Sequence, residues 1–85
     1  MPGEITYYAI VGANESAQTP SGLARRRHVA SVVVDEALRR DLTWQPDAAI
    51  TEWEYGEVGA DVVEISEAAA EQVLARFRAA WDQPA

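Results

Sequence analysis

The chain contains no cysteine and no lysine, and its 85 residues include a single histidine, His28. Without cysteine there is neither a disulfide framework nor a thiolate metal site. One histidine and no cysteine make a tight transition-metal site improbable on chemical grounds. Missing lysine removes the Schiff-base nucleophile and the usual phosphate-gripping ammonium. All seven basic residues are arginine, which, with the heavy use of alanine, points to a GC-rich bacterial genome.

Long apolar runs are also missing, so no segment is expected to span a bilayer. Residues 1–4 carry no basic region of the kind that opens a secretory signal, and the expected location is cytoplasmic. Neither the Walker pattern nor a dinucleotide fingerprint occurs, and no serine sits in a Gly-x-Ser-x-Gly elbow. Alternating Asp/Asn ligands around a central glycine, as in a calcium loop, are absent too. With these groups missing, no cofactor, metal or catalytic residue is expected, and a binding or regulatory module fits better than an enzyme.

What is present is ordinary for a globular domain: 48% hydrophobic and 25% charged residues. One domain over 1–85 is expected, with a thin core, because a chain this short buries only roughly 60–65% of its unfolded surface. Fourteen acids outnumber the seven arginines, giving a net charge of −7. Acidity on this scale disfavours general nucleic-acid binding and attachment to anionic membranes.

Residues 5–11 read as a strand rich in β-formers that stops at Gly12. A polar loop follows, and residues 23–28 can return antiparallel as a hairpin with a long connection. Over residues 31–44 two periods compete. Val32, Val34, Leu38, Leu42 and Trp44 fall at even positions, as on a strand, while Val34, Leu38 and Leu42 also fit helical spacing. The triple valine favours one strand here, bulged near Glu36. Residues 46–55 read as a short helix opened by Pro46 and Asp47 and closed by Gly56, with Ile50 and Trp53 on one face. A strand over the same stretch is the competing reading. After a short extended run at 62–65, Ser66 caps a helix over residues 66–82. Its stripe Ala70, Val73, Leu74, Phe77 and Trp81 follows the helical period. The expected fold is α+β: a small antiparallel sheet from the N-terminal half, packed against an amphipathic C-terminal helix with a shorter helix before it.

Three features are candidates for function. Arg25-Arg26-Arg27-His28 offers positive charge, but on a strand only Arg25 and Arg27 share a face; internal pairing with carboxylates is the plainer alternative. Between Arg40 and Arg76 there is no basic residue and there are nine acids, a segregation that suits a basic protein partner or simply a solvated surface. Trp44, Trp53, Tyr55 and Trp81 are many large aromatics for a thin core. Any that stands exposed would be an interface anchor. The candidate interaction surface is therefore Arg25, Arg27, Trp44, Glu52, Glu54, Tyr55 and Glu57.

Leu42-Thr43-Trp44-Gln45-Pro46, then Glu52-Trp53-Glu54-Tyr55-Gly56-Glu57, then Val63-Glu64-Ile65-Ser66-Glu67 together resemble the C-terminal half of small uncharacterised actinobacterial proteins. The resemblance covers about half the chain. It implies a Trp-x-Pro turn, a Gly-capped helix, a Glu-Ile-Ser-capped final helix and a bacterial cytoplasmic setting; no activity comes with it. The leading expectation is a non-enzymatic module with a protein partner of basic character, with homodimerisation also open. The alternatives are an immunity- or antitoxin-like inhibitor of a basic nuclease, and a small-ligand binder or minor enzyme subunit.

Overall fold

The computed structural model describes residues 4–12, 15–54, 56 and 61–81. The fold is α+β. Five strands, β1 (Ile5–Val11), β2 (Gly22–Val29), β3 (Val32–Leu38), β4 (Trp44–Pro46) and β5 (Asp61–Ile65), form one sheet in the order β4-β3-β2-β1-β5. Every neighbouring pair is antiparallel. Helix α1 (Ala49–Glu54) lies between β4 and β5 in sequence, and α2 (Glu67–Trp81) follows β5.

Alternation along the strands divides the sheet into two faces. The register aligns Trp44, Leu38, Leu23, Ala9 and Val63 across one face. Helix α2 covers this face, with Val73 and Phe77 against Leu23 and Leu38, and with Leu42, Trp44, Ile65, Leu74 and Trp81 packed around them. Full burial of a valine or phenylalanine side chain contributes about 1.5–3 kcal/mol, so this cluster carries much of the stability. The opposite face holds Ala24, Arg26, Asp35 and Ala37 and is covered in part by α1, whose Ile50 is only 1% exposed.

Local chemistry sets the helix ends as the sequence suggests. Ser66 Oγ accepts the Ala69 N–H (3.1 Å) at the start of α2, as an N-cap should. Gly56 takes φ +73° and its N–H bonds to Trp53 C=O at 2.9 Å, the left-handed stop for α1. The last helical residues expected, beyond Trp81, lie outside the described residues.

Two expectations need correction. The stretch 31–44 is two strands, not one, and the β2–β3 register runs unbroken past Glu36, so there is no bulge. The chain turns at residues 39–43, where Asp41 Oδ1 accepts from both the N–H and the hydroxyl of Thr43 (3.1 and 2.6 Å) and Leu42 adopts φ +66°. Leu38 then pairs directly with Trp44; both positions are even, so the alternating pattern passes through the turn without a break.

Pro46 closes β4 instead of opening a helix. It stands opposite Glu36 on an edge strand, and the next residue, Asp47, donates its N–H to Asp35 C=O at 3.1 Å. In the alternation of an antiparallel ladder, position 46 is one that needs no donor toward β3, so proline is tolerated. The helix starts three residues later than expected. Ile50 and Trp53, three residues apart in α1, do lie on one side of the helix, but burial differs: Ile50 is in the core and Trp53 is 38% exposed.

Candidate interaction surface

The arginine triplet lies in the middle of β2, and each member finds its counterpart on β3. The register sets Arg25 opposite Glu36 and Arg26 opposite Asp35. On the α2 face, Arg25 Nε and Arg27 Nε both donate to Glu36 Oε1, at 2.8 and 2.9 Å. On the α1 face, Arg26 grips Asp35 through two bonds of 2.8 and 3.0 Å and reaches Glu54 at 2.9 Å. Thr51 Oγ1 adds a bond to Asp35 Oδ2 at 3.0 Å. Both faces of the hairpin thus carry an ion-pair network.

The titration behaviour follows from these contacts. The Arg26 bonds, foremost, and the Thr51 hydroxyl hold the Asp35 carboxyl below its usual value despite burial. Burial pushes Glu36 up, but hydrogen bonds from Arg25 and Arg27 together outweigh it, so its net shift is downward. Arg26 is held above its ordinary value by bonds to Asp35 and then Glu54. Burial is the leading cause that raises Tyr8, beside the same network.

Arg25 also spreads over Trp44, its guanidinium carbon 4.3 Å from the ring centroid, and the Tyr7 ring lies 6.3 Å from Trp44. Beside them is a cleft of about 120 Å³ between sheet and α2, lined by Tyr7, Leu23, Trp44, Ala70, Glu71 and Leu74. A second groove, about 270 Å³, runs between residues 17–18 and α2 past Ser66, Gln72 and Arg76.

The expected surface is therefore divided. Arg25, Arg27 and Trp44 come together on the α2 face. Glu52 and Glu54 belong to α1 on the other side of the sheet, where Glu54 is tied to Arg26. Tyr55 and Glu57 lie outside the described residues. Sequence reasoning did not select Tyr7, because its place beside Trp44 needs the strand register, or Glu71, which falls one position from the apolar stripe of α2.

Three of the four remaining arginines are engaged too. Arg39 pairs with Asp47 at 3.1 Å, Arg40 lies over the Trp81 ring at 4.8 Å, and Arg76 donates to Gln18 C=O. The carboxylates of Asp61, Glu64, Glu67 and Glu71, by contrast, are exposed and have no ion pair among the described residues. They belong to the edge strand β5 and the first half of α2. Among the described residues no three of His, Asp and Glu converge as a metal ion would require, and no helix is long and apolar enough to cross a membrane. No protein-family model, curated protein or solved structure matches the chain.

Proposed function

We propose that this chain is a non-enzymatic protein-binding module that docks a basic protein through the carboxylates of β5 and α2. One observation carries the reading. Six of the seven arginines are engaged inside the molecule, whereas Asp61, Glu64, Glu67 and Glu71 face solvent without a counter-ion among the described residues. The net charge of −7 is thereby displayed outward, where it steers a positively charged partner. Inhibition of a basic nuclease is one form this docking would take.

The cleft beside Trp44 supports a protein partner over a free small molecule. Its volume of about 120 Å³ is well below the roughly 300 Å³ at which small-molecule pockets begin, and suits one protruding side chain. Tyr7 and Trp44 line it, the residue types that concentrate binding energy at interfaces. His28, the lone imidazole, is exposed near the far end of β2 and on the opposite face from the cleft.

Affinity capture from a bacterial lysate tests the proposal, run at about 0.01 M and about 1 M salt, where the screening length falls from roughly 30 to 3 Å. The wild type is expected to retain a basic protein only at the lower salt. A variant with Asp61→Asn, Glu64→Gln, Glu67→Gln and Glu71→Gln is expected to lose it. Equal retention by the variant would rule out this surface.

A further inference from the structure

The end of the β2–β3 hairpin projects past both helices. Val29 and Val32 pair there on the α2 face and Val33 lies on the other, with exposures of 47, 57 and 52%. Ile5, beside Arg27 on the α2 face, is 45% exposed. Helix α2 does not reach them, since its Phe77 and Trp81 pack toward Leu23, Leu38 and Leu42 at the other end of the sheet. The result is a set of exposed β-branched side chains at one end of the sheet, two of them on β3, whose outer side is open there: β4 pairs only with residues 36–38 of β3, and Asp47 extends the ladder just to Asp35.

An open strand edge is a template for further pairing, and proteins usually blunt it with charge, proline or a covering element. The other edges of this sheet follow that rule. Strand β4 is three residues long and ends in Pro46, and β5 bears Asp61 and Glu64. Residues 32–34 are three valines with no such protection.

We propose that two copies of the chain join across this edge, residues 32–34 of β3 pairing antiparallel about a twofold axis at Val33 to make one continuous sheet. Two features favour a second copy as the occupant. A twofold contact sets a patch against itself, and in antiparallel pairing these valines meet valines with no like charges opposed. Charge sets the side of approach. The uncompensated acids of the proposed docking surface lie on β5 and α2, and strand spacing places the two β5 edges of such a dimer about 34 Å apart, beyond the screening length of about 8–10 Å at ordinary salt. A basic partner has little to attract it here, because the nearest charged strand residues, Asp35 and Glu36 on β3 and Arg26 and Arg27 on β2, are already paired with one another.

Sedimentation velocity on the full chain, with no partner present, tests the dimer. The wild type is expected to sediment as two 9.3 kDa chains at high concentration and to dissociate on dilution. Val32→Lys and Val33→Lys place charge at exposed positions, so each is expected to keep the wild-type circular dichroism and sediment as a monomer. Val63→Lys, at an exposed valine on the opposite edge, is expected to leave the dimer intact. In the dimer the Val33 amide should exchange more slowly with solvent than in the monomeric variants. Wild-type protein still monomeric at about 1 mM, where a micromolar Kd would be saturated, overturns the proposal. So does a dimer unaffected by Val33→Lys. Either failure leaves the acidic docking surface untouched, because that surface is read out by capture of a partner.

Discussion

Glu36 lies between Arg25 and Arg27 with its side chain only 10% exposed. Replacing it with alanine leaves two guanidinium groups facing each other without a counter-ion. Glu36→Ala is expected to cost about 3 kcal/mol, the usual penalty for breaking a buried pair from one side, and denaturant unfolding measures it; a wild-type midpoint would show that the pair contributes nothing. Acid should act through the same groups. Asp35 and Glu36 are shifted below their ordinary values of 3.8 and 4.5, so the unfolded chain takes up protons first as pH falls. Their stabilisation is complete above about pH 4.5 and is lost as pH drops through the lower folded values. The melting temperature should be level down to about pH 5 and then fall, and Glu36→Gln should flatten the fall. That Arg25 and Arg27 would act together was legible from the period of two along a strand. Their partners were not, because matching Arg25 with Glu36 requires knowing that the hairpin turns at Ala30 and Ser31.

That turn has a conformational cost of its own. Ala30 takes φ +55°, where a Cβ is strained and glycine is not. Ala30→Gly is expected to stabilise the fold by about 0.5–1 kcal/mol after the added freedom of the unfolded chain is offset, measured by thermal unfolding; a loss of stability would mean that the turn is relaxed. Helix α2 shows the opposite case, where pattern and structure agree. Its cap and its apolar stripe could both be read because each rests on contacts within a few residues. Phe77 is 9% exposed and stacked on Trp81 at 4.1 Å, so Phe77→Ala is expected to cost about 3–5 kcal/mol. The turn between β3 and β4 was hidden for a physical reason: it uses Asp41 and a left-handed Leu42 where glycine or proline would have announced it, and it preserves the alternation on both sides.

Across the whole molecule, the distribution of charge decides the functional reading. The sequence shows acids and bases separated along the chain; folding brings Arg25, Arg26 and Arg27 onto carboxylates and leaves the acids of β5 and α2 facing water. Which acids would be neutralised depended on strand register, so Glu54, tied to Arg26, was chosen as an interaction residue alongside groups on the other side of the sheet. The central claim is that the outward carboxylates attract a basic partner. Its most direct test is the association rate with the captured partner, followed by stopped flow across a range of ionic strength. The wild-type rate should fall steeply as salt rises, and the variant with Asp61, Glu64, Glu67 and Glu71 neutralised should associate slowly with little salt dependence. A wild-type rate indifferent to salt, or one matched by that variant, would contradict the account.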